Sequence, residues 1–132
     1  MSYSYRDLKA WQKAIELVVH IYELTGPFPK HELYGLTSQM RRAAVSIASN
    51  VAEGKGRSSD RDFVHFLTHS RGSVLELETQ LIISARLNLI SPKQLQEAEK
   101  KAQEVGRILN GLIQSLETGK AKALAARGFV DV

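Results

Sequence analysis

Apolar residues along this chain recur at helical spacing, and three polar breaks divide the pattern into four stretches. In the first, Leu8, Trp11, Ile15, Val18 and Tyr22 follow one another at alternating steps of three and four. The second presents Leu33, Leu36, Met40, Ala44, Ile47 and Val51 as a core face, with Ala43, Ala48 and Ala52 beside it for close packing. The third repeats the spacing through Phe63, Leu67, Ser70, Val74, Leu77, Leu81 and Ser84, and the fourth through Leu95, Ala98, Ala102, Val105, Leu109, Leu112 and Leu116. No segment alternates with period two over a useful length, so no strands are predicted. Four helices of roughly 18 to 28 residues with short connections predict antiparallel neighbours, hence an all-α, up-down-up-down four-helix bundle. The bundle domain covers 1–117. The tail, 118–132, lacks a core pattern and is expected to be partly flexible or to extend the last helix.

The breaks have distinct chemistry. Thr25-Gly26-Pro27-Phe28-Pro29 stops a helix because proline lacks the amide proton and its ring collides with the preceding turn. Glu53-Gly54-Lys55-Gly56-Arg57-Ser58-Ser59 reads as a tight connection, followed by acidic residues suited to a helix start. In Asn88-Leu89-Ile90-Ser91-Pro92, Asn88 suits a left-handed cap. Ser91 with Gln94 forms a capping box, and Pro92 fits the first turn.

The stripes are unequal. The first helix carries a second apolar set, Ala10, Ala14, Leu17, Ile21 and Leu24, leaving a narrow polar strip of Lys9, Gln12, Lys13, Glu16, His20 and Glu23. The third adds Val64, Leu75, Ile82 and Leu89 to its seam, whereas the fourth has one seam only. A helix in a solitary four-helix bundle needs one apolar face. The surplus therefore predicts a homo-oligomer, with Ala10, Ala14, Leu17, Ile21 and Leu24 as interface candidates. The plainer alternative is a central helix in an asymmetric monomer.

Composition narrows the field. With 132 residues, the chain is long enough to bury a core without staples. It has no cysteine, which removes disulfides, thiol catalysis and thiolate metal sites and fits a cytoplasmic setting. The polar, charged start, MSYSYRDLKAWQKA, is not expected to be a secretory signal, and the apolar runs are too short to span a membrane. Net charge is +4, which favours a polyanionic partner.

Few side chains propose chemistry. His65 and His69 are one helical turn apart and can share a metal, but zinc needs further ligands, so two solvent-facing histidines and no metal or cofactor are expected. Glu76 and Glu78 point to different faces and make no paired-carboxylate site. Ser46, Asn50 and Glu53 can gather with Arg42 in a polar pocket, more naturally a hydrogen-bond network than a catalytic site. The glycines after Glu53 lack P-loop spacing and follow a helix instead of a strand. Arg41, Arg42, Lys55, Arg57 and Arg61 group around the junction of the second and third helices and are the candidate nucleic-acid contacts, with Glu53, Asp60 and Asp62 interleaved. Such cations would neutralise phosphates without reading bases. No catalytic constellation emerges, so the protein is expected not to be an enzyme.

Several motifs in combination resemble a known family. They are Tyr5-Arg6-Asp7-Leu8-Lys9-Ala10-Trp11, Tyr22-Glu23-Leu24-Thr25 with Phe28-Pro29, and Tyr34-Gly35-Leu36. Gln39-Met40-Arg41-Arg42-Ala43-Ala44, Ser49-Asn50-Val51-Ala52-Glu53-Gly54 and Gly72-Ser73-Val74-Leu75-Glu76-Leu77-Glu78 complete the set. The stretch from Tyr5 to Leu116 resembles the bacterial four-helix-bundle proteins known as 23S rRNA intervening-sequence proteins. The resemblance implies a homopentamer around a central channel and supplies no catalytic residues to carry over. The family's name does not itself demonstrate binding to ribosomal RNA. The expected function is a non-enzymatic, ring-forming scaffold that binds RNA or a ribonucleoprotein through repeated basic surfaces. The alternative is a protein-interaction hub with no nucleic-acid role.

Overall fold

Each break read from the sequence falls at or beside the end of a long helix. The computed structural model describes residues 4–126 and contains four long helices: α1 (Lys9–Thr25), α2 (Ser38–Lys55), α3 (Asp60–Arg86) and α4 (Pro92–Ala126). Consecutive helices pack together and α4 closes back on α1, giving a four-helix bundle in the cyclic order α1, α2, α3, α4. Among the described residues there is no strand. The seam expected for α3 is buried at every position, from Phe63 through Ser84. In α4 the central seam residues Ala98, Ala102, Val105 and Leu109 are buried, and Ile113 joins them.

The caps explain the helix ends. The Ser91 amide donates to Gln94 Oε1 at 2.8 Å and the Gln94 amide to Ser91 Oγ at 3.1 Å, the reciprocal box expected there. Asn88 has φ 60°, the left-handed conformation anticipated at that turn. Ser59 caps α3 by accepting from the Asp62 amide at 3.1 Å. A second reciprocal box, Ser4 with Asp7, forms a short 3₁₀ turn, Tyr5–Asp7, ahead of α1.

Three expectations are corrected. First, Ala10, Ala14, Leu17, Ile21 and Leu24 are not a surface for another subunit; all five are buried inside the single chain, at 9% exposure or less. The stripe Leu8, Trp11, Ile15, Val18 and Tyr22 lies at the margin of the core instead of filling it. Leu8, Trp11 and Val18 are partly buried, while Ile15 and Tyr22 are exposed at 37% and 44%. Both stripes have acceptable spacing, and small Ala10 and Ala14 let neighbouring helices approach closely, which the bulkier stripe does not. Second, α2 begins at Ser38 instead of around Leu33. Residues Leu33–Thr37 form a wide turn interrupted at Gly35 (φ −114°, ψ −114°), with Glu32 Oε1 accepting from the Leu36 amide at 3.2 Å. Leu33 is consequently exposed. Third, Gly54 belongs to the last turns of α2, not to a loop. A Cβ there would lie 2.8 Å from Phe66 Cβ and 2.9 Å from Phe63 Cδ1. The glycine is required by helix contact.

The helix α4 runs past the expected boundary at 117 to Ala126. The end of the expected tail, 127–132, lies outside the described residues.

Candidate functional site

Three of the surfaces built by this arrangement gather the candidate side chains. The first is polar and lies between α2 and α3. Ser70 Oγ donates to the Ile47 carbonyl at 2.8 Å, locking the two helices from within. One turn outward, Ser73 Oγ donates to Ser46 Oγ at 3.1 Å, and Asn50 Nδ2 donates to Ser46 O and Oγ at 2.9 and 3.0 Å. The expected pocket of Arg42, Ser46, Asn50 and Glu53 therefore forms in part. Gln39, Arg42, Ser46 and Glu76 line a groove of about 360 Å³, without Asn50 or Glu53. Ser46 bonds across to α3 through Ser73, whereas the Asn50 amide bonds only within α2. His65 and His69 flank a neighbouring groove, their rings edge-on at 4.7 Å. No group of three or more metal-ligating side chains occurs among the described residues.

The cations are distributed differently from the expectation. Arg41 and Arg42 stand near the start of α2 and Lys55 at its end, about 20 Å away at 1.5 Å per residue. They do not form one cluster at the junction with α3. Arg41 is tied to the end of α1: its Nε donates to Thr25 Oγ1 at 2.9 Å and its guanidinium lies 4.6 Å from the Tyr22 ring centroid. Arg57 covers the Phe66 ring at 4.6 Å, and Arg61 is exposed on the first turn of α3. Lys55 is half-buried. Arg42, Arg57 and Arg61 are thus the exposed members of the five candidates.

The second surface, between α1 and α4, is charged. Lys13 Nζ bridges Glu16 at 3.5 Å and Glu104 at 3.4 Å beside a groove of about 280 Å³ that also includes Glu97, Lys100 and Lys101. His20, further along α1, has its Nε2 enclosed without a hydrogen-bond partner among the described residues. Burial lowers its pKa below the ordinary histidine value of 6.5 and Lys101 adds to this, while Glu23 and Glu97 oppose it. The unfolded chain therefore takes up this proton first. His20's contribution to stability is complete above pH 6.5 and is lost as pH falls through the lowered folded value. Glu78 acts oppositely: burial, then repulsion from Glu99, raises its pKa, so its contribution is favourable in acid and lost as pH rises through the raised value. In urea unfolding, His20→Gln is expected to flatten the acid-side loss of stability relative to wild type. An unchanged slope would show that His20 does not couple to folding.

The third surface is apolar. Trp11, Ile15 and Val18 of α1 face Val45, Ala48 and Ala52 of α2 across a groove of about 310 Å³ without a charged lining residue. Val45 is exposed at 40%. Val19 and Tyr22 continue the exposed apolar surface along α1, and Tyr34 projects almost fully into solvent from the α1–α2 connection.

The sequence model described as 23S rRNA-intervening sequence protein matches residues 6–111. The chain belongs to this family. Its fold is similar to that in the crystal structure of a protein of unknown function from the S23 ribosomal protein family of Bacteroides thetaiotaomicron VPI-5482. The TM-score is 0.74 at 22% identity, covering 80% of this chain and 95% of that one. No curated protein matches. The similarity in structure to this S23-family protein concerns the fold. For this intervening-sequence family chain, no helix among the described residues is long and apolar enough to cross a membrane.

Proposed function

We propose that this protein is a non-enzymatic scaffold that assembles with copies of itself and binds RNA or a ribonucleoprotein through basic surfaces repeated around the assembly. The observation that carries the scaffold reading is the open apolar groove between α1 and α2, with Ile15 and Val45 exposed beside it. Leaving such contiguous surface in water is unfavourable by about 25 cal/mol per Å², and a neighbouring subunit removes it. A homopentamer is the state implied by the family resemblance. The antiparallel up-down-up-down course within each bundle is supported by the order of contacts between α2 and α3: Met40 with Ser84, Ser46 with Ser73, and Gly54 with Phe63 and Phe66. A cytoplasmic location agrees with the cysteine-free composition.

The RNA reading rests on net charge +4, multiplied by assembly, and on exposed Arg42, Arg57 and Arg61. Each phosphate neutralised on a single strand contributes about 0.7 to the slope of log affinity against log salt. Replacing the three arginines with glutamine is expected to weaken RNA binding at low salt and reduce that slope by about 2. An unchanged slope, or no RNA binding by the wild type at low salt, overturns this reading. A protein-interaction hub is the second reading, favoured by the carboxylates of Glu53, Asp60 and Asp62 among the cations and by the length of α2 that separates Arg42 from Arg57 beyond its end. A stable protein partner recovered from nuclease-treated extract supports it.

A further inference from the structure

His65 and His69 stand exposed one turn apart on α3, and the helix fixes how their rings meet. The imidazoles lie edge-on, with centres 4.7 Å apart and planes at 83°. Two imidazoles bound to a single ion at about 2.0–2.1 Å, with an angle at the ion between square and tetrahedral, have ring centres roughly 4.5–5 Å apart. The observed separation falls in that range. Histidine χ2 is a soft torsion, and turning it re-aims the nitrogens while the ring centre stays nearly in place. Rotation of the two rings therefore completes a shared site.

The surroundings leave room for an ion and its water. The pair borders a groove of about 470 Å³ that continues past Gly72 and Ser73 to Glu76. A Cβ at Gly72 would meet nothing within 4 Å, so the space beside His69 is open. Asp62, one turn before His65, and Glu76, two turns after His69, fall on the same face, and such carboxylates accept hydrogen bonds from ion-bound water. Glu53, next to the Gly54 that packs on Phe66, brings a carboxylate to this level from α2. The opposing charges are Arg61, one turn before His65, and Arg57, stacked on the Phe66 ring that His65 meets edge-on at 6.0 Å.

We propose that His65 and His69 form a two-nitrogen clamp on α3 for an exchangeable divalent transition-metal ion of the Zn²⁺, Ni²⁺ and Cu²⁺ class. No third metal-ligating side chain joins them among the described residues, so the site is not a closed structural zinc centre. Water fills the remaining positions and the ion stays open to exchange. Imidazole nitrogen selects this class over Mg²⁺ and Ca²⁺, which prefer oxygen. The unfolded chain does not hold the rings at this spacing, so the ion binds the folded helix. At a hundred times its Kd it raises the ratio of folded to unfolded protein about a hundredfold. The clamp is independent of the assembly and RNA readings.

Titration calorimetry on protein free of any affinity tag tests this, with Zn²⁺ as the probe and Mg²⁺ as the control. The chain has no cysteine and four histidines, so the alternatives are few. One Zn²⁺ per chain is expected, and no heat from Mg²⁺. His65→Gln and His69→Gln alter exposed positions and should keep the wild-type circular dichroism. Each should weaken Zn²⁺ binding by more than about tenfold, the cost of losing even a group that only supports a ligand. His31→Gln should leave it unchanged. A little Ni²⁺ should broaden the ring-proton resonances of His65 and His69 and spare those of His20 and His31. No Zn²⁺ binding by the wild type, affinity retained in either single variant, or broadening centred on another histidine overturns the clamp.

Discussion

Leu17→Asp is expected to unfold the chain, not to release intact subunits from an assembly. Leu17 is exposed at 1%, and its neighbours on the same stripe, Ala14 and Ile21, are completely enclosed. Truncation to alanine alone at such a position costs about 2–5 kcal/mol, through lost burial and the cavity left behind. Aspartate adds an unpaired buried carboxylate, so its cost should exceed the alanine value and approach a small domain's whole stability of about 5–15 kcal/mol. Ile15→Glu is the contrasting change. Ile15 stands partly in solvent beside the α1–α2 groove, so a carboxylate there remains hydrated in the separate bundle. Its far-UV circular dichroism should match wild type while sedimentation velocity shows a smaller particle. A Leu17→Asp protein that stays helical and only loses mass would place that stripe at a subunit boundary after all.

Gly54→Ala should destabilise the protein even though it improves helix propensity. In an exposed helix interior, glycine to alanine gains about 1 kcal/mol. At Gly54 the new methyl would stand 2.8 Å from Phe66 Cβ and 3.3 Å from the Phe63 carbonyl oxygen. Neither atom can rotate away as the end of a flexible side chain can, so α2 and α3 must separate. Overpacking of this kind costs about 1–3 kcal/mol. The expected net loss is up to about 2 kcal/mol in urea unfolding. Gly111→Ala is the control: it lies within α4 with nothing inside 4 Å of its added Cβ, and should gain stability by about the propensity difference. A Gly54→Ala protein as stable as that control would show that the helices can yield at this contact.

Sequence by itself determined the four long helices, the capping box and left-handed turn between α3 and α4, the buried seam of α3 and the central part of that of α4. The reason is local: Ser91 with Gln94, Asn88 and the Gly26-Pro27 break act within a few residues of chain, and a helix exposes its buried face through its own period. The same locality hid two features of the candidate surfaces. Arg41 and Arg42 looked close to Lys55, Arg57 and Arg61 because they border one helix, yet a rigid α2 holds them at opposite ends. Gly54 looked like a turn residue because its contact with Phe63 and Phe66 comes from another helix.

The choice between the two stripes of α1 was likewise tertiary. Periodicity established that Ala10, Ala14, Leu17, Ile21 and Leu24 share a face and that Trp11, Ile15, Val18 and Tyr22 share another. It contained no information on which face the neighbours would cover. Packing decided it, since the alanines allow close approach to the core while the bulky residues leave a groove open to solvent. The surplus of apolar surface was legible in the sequence; its place on the molecule was decided by the assembled bundle.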